Sequence, residues 1–514
     1  MARRPRAEGK ARARERTSPA GSLKQLPFST YRNPYAPIEV VSADQLEAVH
    51  LASLQVLEEI GMNFLLPEAK EILKKAGADV DPNSDRVRFD RGLIEQAIAT
   101  VPPVFTLHSR NPERAREIGG NAINVTSIAS PPNAIDMSGG RRPGNRTDFG
   151  NFLRLSQYFN ICHMLGGYPV EPTDMPVPMR HLEAMQMMLE LTDKVVFGYS
   201  LGRDRILDVI EMARIARGIS EEQLLREPSI WTIVNTNSPL QLDIPMLWGM
   251  IEMAKRNQPV CVTPFTLAGA MAPVTMPGAV VQQNAEALAG IAFLQIVNPG
   301  APAVYGGFTS NVDMKTGSPA FGTPEYAKAT LLGAQLARRY NFPFRASNVN
   351  ASNAPDAQAT YESVNSAWSV VMGHTNIVMH GLGWLEGGLS ASFEKFIIDV
   401  EIMQMMAQFM EPLVIDDATL GLDAIREVGP GGHFFAAQHT LERYETAFYA
   451  PFLSDWRNYE TWQDAGSLDA TTRAHQIYKK VLADFRAPSM DVAVAEELGA
   501  FVSKRREEGG APMQ

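Results

Sequence analysis

The residues best placed for chemistry stand just after short apolar runs. They are Tyr168 and Glu171; Tyr199, Ser200 and Arg203; Asn235, Thr236 and Asn237; Thr263 and Phe265; Phe308, Ser310, Asn311 and Asp313. Further along come Ser347, Asn348, Asn350, Asn353, Asp356 and Tyr361, then His380, Trp384, Glu386 and Glu394. Aromatic rings, neutral hydrogen-bonding groups and a few carboxylates dominate these segments, and lysine is nearly absent from them apart from Lys315 and Lys395. That palette suits a small cation with an apolar skin. A methylated ammonium presents methyl groups rather than donors, so aromatic faces and a nearby carboxylate hold it, at about 0.5–2 kcal/mol per desolvated cation–π contact. Trp384, Tyr361, Phe308, Phe265 and Tyr168 are the cage candidates. Glu386 is the catalytic candidate and counter-charge, because a carboxylate between Gly383-Trp384-Leu385 and Gly387-Gly388 has little structural purpose.

These residues are positioned by a repeated unit: an apolar run, a turn rich in Gly, Pro, Asn and Ser, then an amphipathic helix. Eight runs begin near Ile123, Ile161, Lys194, Ser229, Pro259, Pro302, Phe344 and Asn376, spaced 30 to 43 residues apart. Eight βα units in one stretch predict an α/β fold, a (β/α)8 TIM barrel over 120–410, with its chemistry on the loops after the strands. Crossover helices are expected at 204–217, 281–297, 325–340, 357–373 and 394–410. Before the barrel, residues 1–36 read as a disordered basic tail and 37–119 as an α+β cap. That cap should hold helical periodicity over 43–75 broken at Gly61, strands near 86–89 and 104–108, and a helix at 91–99. After it, 411–514 reads as a mainly helical extension, with 435–450 and 469–485 the clearest helices and 488–514 a loose, partly helical tail.

Composition narrows the function. A net charge of −10 argues against a nucleic-acid partner and allows a cationic substrate. No apolar run approaches the ~20 residues that span a bilayer. Two cysteines, Cys162 and Cys261, form no disulfide framework and no C-x-x-C pair, which suits a reducing cytoplasm. Gly198-Tyr199-Ser200-Leu201-Gly202 matches the nucleophile-elbow pattern, but it fixes only three positions and sits in the third of eight repeats, where a hydrolase sheet would not put it. His374 and His380 flank a strand, yet no H-E-x-x-H or H-x-H accompanies them, so no protein-bound metal is expected.

Three segments carry a resemblance: FRASNVNASNAPDAQATYES from Phe344, HGLGWLEGGL from His380, and VGPGGHFF from Val428 followed by His439-Thr440. Over about residues 40–485 the chain resembles the trimethylamine methyltransferase family. The resemblance implies a barrel enzyme that passes a methyl group from a methylated amine to the cobalt of a separate corrinoid protein. The cobalamin cofactor would be borrowed, since nothing here matches a D-x-H-x-x-G corrinoid-ligating motif. Archaeal trimethylamine enzymes of the family use pyrrolysine, which would fall within Asn348–Asn353 and is absent here. Members without it act on quaternary amines such as glycine betaine. The chemistry agrees: a quaternary nitrogen already carries its charge, so the departing tertiary amine needs no proton, and orientation of one methyl suffices.

For a betaine carboxylate the candidate partners are Arg345, Arg203, His380 and Asn348. His380 and Asn348 are favoured, because a cation deep in the pocket would repel the ammonium; Asn350 joins them as a further binding candidate. The expectation is therefore a corrinoid-dependent methyltransferase for a quaternary amine. Trimethylamine itself, or a non-catalytic betaine-binding subunit, are the alternatives. Large helical surfaces after residue 410 suggest a homo-oligomer.

Overall fold

The computed structural model describes residues 23–512. The fold is mixed α/β, built on a curled parallel sheet. Its strands are β1 (Ala122–Ser127), β2 (Val196–Phe197), β3 (Ile230–Thr236), β4 (Val260–Ala268), β5 (Ala303–Gly306), β6 (Phe344–Ser347) and β7 (Ile377–Leu382). Neighbours pair in parallel in the order β1-β7-β6-β5-β4-β3-β2, with Arg345 opposite Ile377 and Ile377 opposite Asn124. The run near Ile161 is not a strand. It contributes only Met164, which bridges in parallel to Thr126 on one side and Val195 on the other. Gly166 and Gly167 follow at once, and Gly167 at φ 151° turns the chain out of the sheet.

Helices alternate with these strands: α1 (Arg146–Tyr158), α2 (Arg180–Leu191), α3 (Arg203–Arg217), α4 (Ile244–Lys255), α5 (Met276–Val297), α6 (Pro324–Tyr340), α7 (Ala357–Met372) and α8 (Phe393–Phe409). The starts of several are written locally. Asn145, Asp243, Thr323, Asp356 and Ser392 each cap a helix through a side-chain oxygen. Gly218 in the left-handed region ends α3 as the sequence predicts.

Inside the curl the side chains alternate inward along each strand. Met164, Val195, Phe197, Trp231, Cys261, Val304, Ile377 and Met379 pack together, and Leu107 and Ile118 close one end from the hairpin Val104–Leu107 with Arg116–Gly119. The interior is therefore filled on that side, and only the end beyond the strand C-termini is open for a site.

Around the sheet, Ala43–Gln55 runs into a π turn that Gly61 ends at φ 74°, followed by Pro67–Lys75 and Arg91–Ile98. Residues 1–22 of the basic tail lie outside the described residues. Residues 23–36, expected as its disordered end, are instead laid against the body. Tyr31–Arg32 pairs antiparallel with Ile123 and Ala122, and the Asn33 amide donates to the Val371 carbonyl at 2.8 Å. Leu23, Leu26 and Tyr31 supply the apolar surface that packs there.

After α8 the chain forms short helices, then α9 (Ala470–Asp484) and α10 (Val492–Glu507). The helix expected over 435–450 reduces to Gln438–Leu441, between a Gly-Pro-Gly-Gly turn and Pro451. The expected loose tail is a formed helix. Leu498 and Val502 bury on the body, and Arg505 pairs with Asp208 at 2.7 Å. No helix among the described residues is long and apolar enough to cross a membrane.

Candidate active site

A cavity of about 680 Å³ opens beyond the C-terminal ends of the strands. Its wall takes one or more residues from almost every unit: Ala129 after β1, Tyr168 after Met164, Phe197 and Tyr199 at β2, Asn235 on β3 and Phe265 on β4. Phe308 follows β5, Arg345 lies on β6, and Met379 and His380 on β7. Two aromatic groups face into it. Phe265 and Phe308 lie 5.0 Å apart between centroids, and Phe308 meets Trp384 edge-on at 6.1 Å, with His380 4.4 Å from Trp384. Opposite, Tyr199 packs edge-to-face on Tyr168 at 4.6 Å and on Phe197 at 4.9 Å.

Local backbone geometry aims these groups. His380 has φ 55° and the pairing of β7 with β1 slips register between Val378 and Leu382. That bulge breaks the inward–outward alternation, so both Met379 and His380 reach the cavity. The indole of Trp384 is clamped by Asn350: its Nε1 donates to the Asn350 carbonyl at 2.9 Å, while Asn350 Nδ2 donates to the Trp384 carbonyl at 2.6 Å. Gly388 lies against the ring, where a Cβ would come within 2.5 Å of Cη2.

Of the residues expected in the site, Trp384, His380, Phe308, Phe265 and Tyr168 are brought together here. Four are not. Tyr361 is 62 % exposed on the outer side of α7. Asn348 is buried behind the wall, donating to the Gly381 carbonyl at 3.1 Å, and Asn350 serves Trp384 from behind. Glu386 does not line the cavity, although Gly387 and Gly388 beside it do. Its carboxylate accepts from Arg141 Nε at 2.8 Å and from Ser390 at 2.5 Å. Partial burial raises its pKa, but the Arg141 and Ser390 hydrogen bonds outweigh that and hold it below the usual carboxylate value. Its charge is thus already balanced by Arg141.

Sequence reading did not name Phe197. It placed Tyr199 after a strand without counting it in the cage, and it weighed Arg345 as a carboxylate partner but favoured His380 and Asn348, whereas all three of Phe197, Tyr199 and Arg345 line the cavity. Tyr199 sits within the G-Y-S-L-G turn, where Ser200 is buried and donates to the Met246 carbonyl at 3.3 Å. The turn carries the tyrosine, whose hydroxyl accepts from the Tyr168 N–H at 3.0 Å and bonds Ser130. Arg345 is 2 % exposed and lies with its guanidinium carbon 5.0 Å above the Phe308 ring. Arg203, by contrast, is taken up by Glu68 and Glu252.

Electrostatically the wall has little proton-donating capacity. Burial, with Arg345 nearby, holds His380 well below its ordinary 6.5, so it is neutral, with Nδ1 3.1 Å from Ser347 Oγ. Burial raises the Tyr168 and Tyr199 hydroxyls well above their usual value. Glu171, the one carboxylate on the wall among the described residues, is paired with Arg180 at 2.7 Å. No group of three or more His, Cys, Asp or Glu side chains among the described residues could hold a metal ion.

The family model for trimethylamine methyltransferase (MTTB) matches residues 6–510. The chain belongs to that family. It is 34 % identical over 472 residues to a glycine betaine methyltransferase of Desulfitobacterium hafniense strain Y51, covering 92 % of this chain and 98 % of that one. A trimethylamine methyltransferase MttB of Desulfitobacterium hafniense strain DSM 10664 / DCB-2 is 28 % identical, covering 91 % and 94 %. Methanosarcina barkeri MttB is 26 % identical, with 91 % and 95 % covered. Among solved structures the fold resembles Methanosarcina barkeri monomethylamine methyltransferase MtmB, with a TM-score of 0.51 at 10 % identity over 88 % of this chain and 90 % of that one. This member of the family is a methyltransferase.

Proposed function

We propose that this methyltransferase moves a methyl group from a quaternary amine, glycine betaine by preference, to the reduced cobalt of a separate corrinoid protein. The observation that carries the reading is the wall itself: facing aromatic groups around a space where the histidine is neutral and the carboxylate already paired. Trimethylamine gives up a methyl badly without activation, because a dimethylamide anion would have to leave, whereas a quaternary ammonium releases a neutral tertiary amine and asks only for a dry aromatic seat. Cob(I)alamin, when its carrier docks, supplies the nucleophile. The chain's residues do the rest: Trp384, Phe308, Phe265, Tyr168 and Tyr199 hold the methylated nitrogen and point one methyl at the opening, with His380 and Asn350 fixing the indole face. Glu386 enters as a positioning residue that keeps the Gly387-Gly388 turn against the ring.

Val177, Leu201 and Leu389 line the same cavity and are 40 %, 39 % and 52 % exposed, so its rim presents apolar surface suited to a flat macrocycle. Docking of the carrier at this rim is part of the proposal. The parallel bridges through Met164 support reading the sheet as a complete (β/α)8 barrel over 120–410, with a cap over 37–119 and an extension from 411. Exposed Phe435, Phe448 and Trp456 in that extension support self-association, and two buried free cysteines suit a cytoplasmic location.

The test is incubation with cob(I)alamin and single amines. Loss of the Co(I) absorbance with glycine betaine and not with trimethylamine is expected; loss with trimethylamine alone would overturn the reading.

A further inference from the structure

Arg345 is the group in the cavity with the most unmet need. It stands on the inward side of β6, 2 % exposed, and lines the cavity beside Phe308 and His380. Among the described residues its only hydrogen bond is from Nη1 to the Gly307 carbonyl at 3.3 Å, and its Nε has no partner there. Among the described residues no carboxylate lies within ion-pair distance of it. The charged groups elsewhere on the wall are Glu171, Arg180 and Arg205. Glu171 is already paired with Arg180, and Arg205 donates to the Ala511 and Val177 carbonyls.

A buried guanidinium stays charged, and taking it out of water without a counter-ion costs several kcal/mol. Folds tolerate that only where something else meets the charge. Five N–H donors in a planar fork match one kind of ligand best, a carboxylate gripped by two parallel bonds. Arg203, the other arginine that could be considered, has both neighbouring carboxylates and does not line the cavity.

We propose that Arg345 is the receptor for a carboxylate on the substrate, so that the cavity selects a compact zwitterion: a quaternary ammonium whose carboxylate lies one or a few methylenes away. This deepens the quaternary-amine reading and rests on it. The ammonium end sits among Trp384, Phe308 and Phe265 while the carboxylate meets Arg345, with Phe308 touching both regions. The objection that a deep cation repels the ammonium is reversed for such a ligand. Its carboxylate neutralises the guanidinium first, and a zwitterion adds no net charge to the pocket. For choline or any other quaternary amine without a carboxylate, the guanidinium stays uncompensated and a second positive charge is added in a low-dielectric space. That is discrimination by repulsion as well as by attraction.

The test is calorimetric binding of glycine betaine and of choline, without cobalt, to the wild-type protein, Arg345→Met and Arg345→Lys. The wild type should bind betaine about 30-fold or more tightly than choline. R345M should lose betaine affinity by a similar factor while binding choline at least as well as the wild type does, which also shows that its cavity is intact. R345K, with a point charge in place of a fork, should fall between. Equal wild-type affinities for the two ligands, or betaine affinity in R345M within about threefold of wild type, would overturn the proposal. So would loss of both ligands together in R345M, which would make Arg345 a structural residue. Methyl transfer is not part of the readout, so failed turnover would count against the quaternary-amine reading alone.

Discussion

Trp384 and Glu386 stand two residues apart and do different work. The indole faces the cavity, locked by reciprocal hydrogen bonds with Asn350, whereas the carboxylate faces Arg141 at the rim. Trp384→Ala should therefore remove a main cation–π face, worth about 0.5–2 kcal/mol when desolvated, and raise KM for the amine roughly 3- to 30-fold. Glu386→Gln should act weakly, since its partner Arg141 is 48 % exposed and such pairs contribute at most about 1 kcal/mol. Steady-state kinetics on the two variants separates the roles: a collapse of kcat in Glu386→Gln would return that residue to the chemistry. Spacing alone could not make this distinction. Both residues lie in one Gly-rich turn, and which side chain points inward depends on the left-handed φ of 55° at Glu386 and on the bulge at His380.

At the scale of elements, α8 supports the site from behind. Lys395 and Asp399, one turn apart and fully buried, form an ion pair; burial pulls the lysine down and pushes the aspartate up, so each depends on the other. Asp399 also accepts the Gly383 N–H at 2.8 Å, and Lys395 donates to Ser363 at 2.8 Å. This network ties α8 to the strand end that carries Trp384. Asp399→Ala would strand a buried ammonium and should cost about 3–5 kcal/mol. Chemical denaturation should show that loss together with a raised KM; unchanged stability would contradict the account. Helical periodicity in the sequence identified α8 and four other crossover helices to within a few residues, because each buries a long apolar face. It failed where packing rather than periodicity decides. The run at Ile161 keeps one bridging residue before two glycines, and α10 is held by the Arg505–Asp208 pair and two apolar contacts that composition does not reveal. The inward position of Arg345 likewise follows from strand register, which the residues 344–347 alone do not state.

For the whole molecule, one end of the curled sheet is plugged and the other carries the cavity, so in the proposed function substrate, carrier and product share one opening. Leu389→Asp, at that rim, should weaken docking of a corrinoid protein about tenfold or more while calorimetric betaine affinity stays unchanged. Equal loss of both would show that the rim belongs to the amine pocket instead. The molecule also carries a pH limit. His380 and His163 are held neutral by burial, well below their ordinary 6.5. Above that pH both are neutral in the folded and unfolded chain alike. Below it the unfolded chain takes up protons that the folded one refuses, so stability falls as the pH drops. Melting temperatures measured from pH 8 to pH 5 should hold level and then decline below about 6.5; a rise on acidification would contradict these assignments.

The most direct measurement is a single turnover with glycine betaine carrying deuterated methyl groups and one equivalent of a Co(I) corrinoid protein, followed by mass spectrometry of both partners. The account predicts one labelled methyl on the corrinoid for each betaine converted to its tertiary amine. Betaine left whole while Co(I) persists, or label released without reaching the corrinoid, would contradict it.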